Sequence, residues 1–104
     1  MSKYRNRVSY YKGMKFASQR ELKRYKELEL YERAGIISKL QFQVPFVLIK
    51  KSEFGRTIKY IADFTYYNDD GRYVVEDAKG FRTDTYKIKK RLMAEIYKIE
   101  IKEV

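Results

Sequence analysis

The chain has 104 residues, with 24 Lys and Arg against 14 Asp and Glu for a net charge of +10, and it contains neither cysteine nor histidine. The length is that of a single domain spanning 1–104, and the two missing residue types exclude Cys/His zinc sites, thiol chemistry, disulfides and any imidazole base. The positive field points to polyanionic partners, nucleic acid first and anionic membrane second.

Residues 1–16 carry five basic residues and no acid, and 1–15 reads as a basic N-terminal arm that becomes ordered near its end, with Gly13 as a turn. Its opening, MSKYRNR, lacks the apolar core of a signal peptide, and no apolar run approaches the roughly 20 residues that span a bilayer. A soluble intracellular protein is expected. Ser18-Gln19-Arg20-Glu21 has the form of a capping box and predicts a helix running to about Ala34 and stopping at Gly35. Glu21, Tyr25, Leu28 and Glu32 recur at helical spacing, which puts Glu21 on or beside the face that meets the core.

Residues 37–50 predict one bent strand, with Pro45 arguing for an edge position, a bulge or a break into two pieces. A loop at 52–56 leads to a second strand over 57–67. A third strand over 72–79 follows Asn68-Asp69-Asp70-Gly71. After a short connection at 80–83, Thr83 or Asp84 caps a helix over 85–97, with Ile88, Leu92 and Ile96 as its buried stripe and Lys87, Lys90 and Arg91 on another side. Ile99 and Ile101 suggest a short final strand. Eleven tyrosines and six phenylalanines suit nucleic-acid stacking as well as strands and cores, and most are assigned to the latter.

The stretch from Tyr60 to Gly80 places acid inside apolar strands of a basic protein. Asp77 and Lys79 share one strand face and Glu76 takes the other, as a solvent-facing or ion-paired residue. A four-residue loop would put Glu76 across from Asp63, whereas a three-residue loop, Asp69-Asp70-Gly71, would put Asp77 there. The second has glycine where a left-handed residue follows a type I turn, and is preferred. Two carboxylates so placed repel unless a proton or a cation is shared, and an oxygen-ligand cation such as Mg²⁺ relieves them. The plain alternative is a solvated acidic turn.

FASQRELKRY at 16–25, YIADFTY at 60–66, VVEDAKG at 74–80 and TDTYKIKKRLM at 83–93, with the spacing Asp63, then Asp77-Ala78-Lys79, resemble the PD-(D/E)XK nuclease superfamily, and more closely a phage-encoded family of Holliday-junction-resolvase-like nucleases. The resemblance implies an α/β, restriction-endonuclease-like core of order αβββαβ, with a central mixed sheet flanked by helices. It further implies a homodimer cutting branched DNA in the host cytoplasm with Mg²⁺ or Mn²⁺. Carried onto this chain, Asp63 and Asp77 ligate the metal, the Ala78 carbonyl adds a ligand, and Lys79 positions or activates the attacking water. Glu21 matches a helix glutamate of junction resolvases, although a capping role needs no metal. Ala62 stands where the motif's name has proline, and the acid pair Glu76-Asp77 leaves room for a one-residue shift. Arg5, Arg7, Lys12, Lys87, Lys90 and Arg91 are candidates to hold the DNA backbone. The competing reading is a non-catalytic nucleic-acid-binding module whose acids are structural.

Overall fold

The computed structural model describes residues 7–79 and 81–104, so Arg5 and the glycine of the 80–83 connection lie outside the described residues. The first elements are two short strands, β1 (Ser9–Tyr11) and β2 (Met14–Phe16), paired through a two-residue turn at Lys12-Gly13. Both turn residues have positive φ, +51° and +79°, the mirror-image turn whose twist matches that of the strands it joins. The end of the basic arm is therefore a hairpin.

Helix α1 (Gln19–Arg33) starts where the capping motif predicts: the Ser18 hydroxyl accepts the Glu21 N–H at 3.2 Å. Tyr11 and Lys12 of the hairpin both donate to Glu29 of α1, at 2.9 and 2.7 Å, and so tie the N-terminus to the helix.

Strands β3 (Ser38–Ile49), β4 (Ile58–Tyr67) and β5 (Tyr73–Asp77) run antiparallel, and helix α2 (Asp84–Tyr97), capped by Thr83, crosses to β6 (Lys102–Glu103), which lies parallel to β5. The sheet order is β3-β4-β5-β6. The result is an α/β fold with one mixed four-stranded sheet and two helices, elements running in the order α, β, β, β, α, β behind the N-terminal hairpin. Pro45 sits on the outer strand β3, where the N–H it lacks is not needed by a second neighbour. The last strand falls at Lys102–Glu103 and not at Ile99–Ile101, because Lys98 ends α2 in a left-handed cap and the next three residues carry the chain back to the sheet. Among the described residues no helix is long and apolar enough to cross a membrane.

Two apolar clusters form the core. Phe16, Leu28, Ile37, Phe64, Tyr66 and Ala78 lie on the α1 side; Leu48, Tyr60, Ala62, Val75, Tyr86, Met93 and Ile101 lie on the α2 side. Adjacent Val74 and Val75 serve different clusters, so the helices cover opposite faces of β5. Tyr60 and Ala62 pack with α2 whereas Phe64 and Tyr66 pack with α1. Residues of equal parity on β4 thus change layer, and Asp63 lies at the changeover.

The stripe expected on α2 is not the buried one. Ile88 is 63% exposed and Ile96 is also exposed, while Tyr86 and Met93, seven residues apart, are buried and Leu92 is partly so. The helix is rotated so that the Tyr86 hydroxyl reaches Glu103 of β6 at 2.8 Å and Met93 enters the cluster with Tyr60.

Beneath α1, Glu76 is fully buried and ion-paired, not solvent-facing. Arg24 holds it with two parallel bonds, Nε to Oε1 at 2.8 Å and Nη2 to Oε2 at 2.7 Å, and the Tyr66 hydroxyl donates to it as well. Arg24→Ala strands this carboxylate and is expected to cost about 3–5 kcal/mol in urea unfolding. Met93→Ala should cost about 2–5 kcal/mol, against less than about 0.5 kcal/mol for Ile88→Ala at an exposed site; equal losses at the two positions would restore the predicted stripe.

Candidate metal centre

Turn chemistry brings the acids of the hairpin together. The Asn68 N–H donates to the Arg72 carbonyl at 2.9 Å, and the Gly71 N–H donates to the Asn68 carbonyl at 2.9 Å. The Asn68 side-chain oxygen takes the N–H groups of Asp70 and Arg72, at 3.0 and 2.9 Å. Gly71 has φ +78°, a conformation that glycine enters without a Cβ penalty. The loop is therefore the three-residue Asp69-Asp70-Gly71. It sets Tyr67 against Tyr73 and Phe64 against Glu76, and one further step places Asp63 across from Asp77.

Besides Lys79, each aspartate is held by a neutral donor. The Ala78 N–H donates to Asp63 Oδ2 at 2.7 Å, and the Tyr60 hydroxyl donates to Asp77 Oδ2 at 2.8 Å. Lys79 stands between them, its Nζ 3.5 Å from Asp63 Oδ2 and 3.4 Å from Asp77 Oδ2. Glu21 enters from α1: only 6% exposed, its carboxyl feels the charges of Asp63, Lys79 and Asp77. The cap and the inward carboxylate coexist, since Ser18 caps through its own hydroxyl. Among the described residues two buried oxygens, Glu21 Oε1 and Asp77 Oδ1, have no hydrogen-bond partner.

Burial dominates the electrostatics. It pushes the Glu21 carboxyl up to about 7, with the charge on Asp63 adding to the rise and Lys79 opposing it. Asp63 is raised for the same first reason, offset by Lys79 and by the Ala78 N–H. Burial works against the Lys79 ammonium, but Asp63 and Asp77 outweigh it and hold its pKa above the ordinary value. Burial also drives the Tyr60 phenol upward, so it stays a donor.

Three buried carboxyls against one ammonium leave an excess of negative charge. The donor set is all oxygen, and two of its oxygens lack partners, which fits a hard divalent cation such as Mg²⁺ or Mn²⁺. Among the described residues no three acidic groups are already drawn into a closed ligand shell; the lysine occupies the space between the aspartates.

Three supports of the site left no local signal in the sequence. Tyr60 reaches Asp77 only through the sheet register. Arg24 lies one turn from Glu21 on α1 and grips Glu76, the neighbour of Asp77. Arg82 donates to the Lys79 and Asp77 carbonyls at 2.6 and 3.2 Å, bracing the backbone that carries the lysine. The basic residues expected to hold DNA divide. Arg7 and Lys87 are exposed. Lys12 is committed to Glu29, Lys90 to Glu103 at 3.1 Å, and Arg91 to Glu95 at 3.4 Å.

Because the folded-state pKa of Glu21 lies above its ordinary value of 4.5, the folded chain holds an extra proton between there and about 7. The group favours folding below that window, and its contribution is lost as pH rises through it. At about 1.4 kcal/mol per pH unit the loss is roughly 3 kcal/mol. Glu21→Gln should therefore melt several degrees above the parent at pH 8 and level with it near pH 4. Melting curves that differ equally at both pH values would contradict the inward, desolvated carboxyl.

No curated protein and no solved structure matches the chain. The family described as protein of unknown function (DUF1064) matches residues 1–103. The chain that carries this buried carboxylate centre is therefore a member of the DUF1064 family.

Proposed function

We propose that this chain is a divalent-metal-dependent DNA endonuclease, built on a restriction-endonuclease-like core and acting as a homodimer on branched, Holliday-junction-like DNA. The observation that carries the reading is the buried set Glu21, Asp63 and Asp77 around Lys79, with two carboxylate oxygens left without partners. The preference for branched DNA and the dimer rest on the resemblance of the Asp63 and Asp77-Ala78-Lys79 segments to junction resolvases.

Asp63, Asp77 and Glu21, with the Ala78 carbonyl, would hold the Mg²⁺ or Mn²⁺ ion. When bound, such a cation supplies charge stabilisation at the phosphate and a nucleophile at neutral pH. The chain's own groups do the rest. Lys79, kept protonated by its two aspartates, acts as a fixed positive charge near the developing anion and orients water; it is not a base. Tyr60 and the Ala78 N–H hold one oxygen of each aspartate, and Asp77 Oδ1, without a partner among the described residues, would be available to the cation. Loss of the Glu21 proton is coupled to cation binding. Arg7 and Lys87 hold the flanking backbone, joined by Lys12, Lys90 and Arg91 on exchanging Glu29, Glu103 and Glu95 for phosphate, and these contacts carry no sequence information.

One observation favours the second reading, a nucleic-acid-binding module without catalysis: Lys79 already bridges the aspartates, and the acids form no closed shell. A panel of four-way junction, flap, duplex and single-stranded DNA separates the two. With Mg²⁺ or Mn²⁺ the parent should cut, and Asp63→Asn, Asp77→Asn or Lys79→Ala should lower the rate by about 100-fold or more while binding is kept. Cleavage that persists in EDTA or in these variants contradicts the nuclease. Salt-sensitive binding with no cleavage of any substrate establishes the binding module.

A further inference from the structure

The β5 side of the hairpin ladder ends at Asp77, opposite the middle of β4. Beyond Asp63 the β3–β4 pair continues to Ile49 against Ile58, with α2 covering one side through Leu48, Tyr60 and Ala62, and ends in a turn well away from the carboxylates. The five residues from Asp63 back to Ile58 span roughly 17 Å at about 3.3 Å per residue.

The tip of this hairpin is built, not loose. The Ser52 N–H donates to the Gly55 carbonyl at 3.0 Å and the Gly55 N–H returns to the Ser52 carbonyl at 3.3 Å. The Phe54 N–H is held by the Ser52 hydroxyl at 3.1 Å. On this fixed turn the Phe54 ring is 91% exposed. Lys50, Lys51, Arg56 and Lys59 flank it in sequence, Glu53 is the one acid in the segment 50–59, and none of the four cations is in an ion pair among the described residues. Holding a large apolar ring in water on a rigid turn has no folding benefit, since the ring covers no core surface.

We infer that Phe54 is a base-stacking wedge: its ring inserts at an unpaired or branch-point base of DNA while Lys50, Lys51, Arg56 and Lys59 neutralise the phosphates beside it. Aromatic rings stack on any base, and apolar wedges open base steps. The choice of DNA as partner rests on the nuclease reading above. The spacing then has a meaning. A wedge about 17 Å or more from the carboxylates lies on the order of five base steps away at about 3.4 Å each, so the ring would mark the branch and set the distance to the bond that is cut. A membrane-inserting tip is the competing occupant; Ile49 and Ile58 beside the turn are exposed as well, but Lys50, Lys51, Glu53 and Arg56 separate them from the ring along the chain and break the apolar surface offered to lipid.

The test is run in EDTA, so that it does not depend on cleavage. A four-way junction carrying 2-aminopurine at the branch point is titrated with the full chain and with Phe54→Ala and Phe54→Trp. The parent and Phe54→Trp should raise the fluorescence; Phe54→Ala should lose the rise and bind the junction at least about five-fold more weakly, the low end for one lost stack. Binding of unbranched duplex should change less than about two-fold, because phosphate contacts dominate there. The melting temperature should not move, since the ring is exposed. Phe54→Ala indistinguishable from the parent on the junction overturns the wedge, and so does Phe54-dependent binding to phosphatidylserine vesicles without a 2-aminopurine response. Cleavage by the parent in Mg²⁺ alongside a silent Phe54→Ala would leave the nuclease standing and the wedge refuted. A Phe54-dependent fluorescence rise with no cleavage of any substrate would do the reverse.

Discussion

Asp63 and Asp77 face each other across two strands with one ammonium between them, 3.4–3.5 Å from each. This contact holds more of the structure in place than its size suggests. Like charges at adjacent cross-strand positions are destabilising, so the hairpin tolerates them only because Lys79, the Ala78 N–H and the Tyr60 hydroxyl each neutralise or bind one oxygen. Glu21 brings a third carboxyl to the same place without bringing a cation. Its carboxyl, raised to about 7 by burial, records an unbalanced charge that a proton or a metal can remove. Folding alone gives no reason to accumulate that charge.

Neighbouring Glu76 shows what balanced burial looks like in the same strand. It is as deeply buried as Asp77, yet Arg24 takes both of its oxygens in a two-point bond and Tyr66 adds a third donor. Such a pair is expensive to break but contributes modestly to net stability. Its geometric effect is larger. Arg24 lies one turn after Glu21, and Glu76 lies one residue before Asp77, so the clamp sets the rotation of α1 against β5 and with it the approach of Glu21 to the aspartates. Adjacent residues on opposite faces of one strand thus divide the work, one acid locked to an arginine and the other left with a free oxygen.

Much of this was legible from local chemistry. Ser18 announced the start of α1, Pro45 narrowed β3 to an edge, a bulge or a break, and glycine at 71 favoured a three-residue loop and therefore the register that opposes Asp63 to Asp77. Each of these depends on residues a few positions apart. What failed depended on distant ones. The Ile88, Leu92, Ile96 stripe is a real apolar stripe, but which side of α2 meets the sheet is decided by Tyr86 reaching Glu103 and Met93 filling the space beside Tyr60. The pairing of Lys12 with Glu29, 17 residues away, could not be read from the sequence either. Tyr60, Arg24 and Arg82 became visible as supports of the centre only once the sheet and helices were in place. Gly13 was read as a turn within an arm, yet the strands on either side of it are too short for period-two alternation to declare itself.

The excess of buried carboxylate at Glu21, Asp63 and Asp77 is either a cation site or a structural oddity. Titration of Mn²⁺ into the protein, with a non-cleavable phosphorothioate DNA duplex present and free Mn²⁺ read by its electron paramagnetic resonance signal, asks this directly. The account predicts saturable Mn²⁺ uptake at pH 8 that weakens as pH falls below about 7, where Glu21 takes up its proton, and that is lost in Asp77→Asn. Uptake that is equal in the parent and in Asp77→Asn, or absent from both, would contradict it.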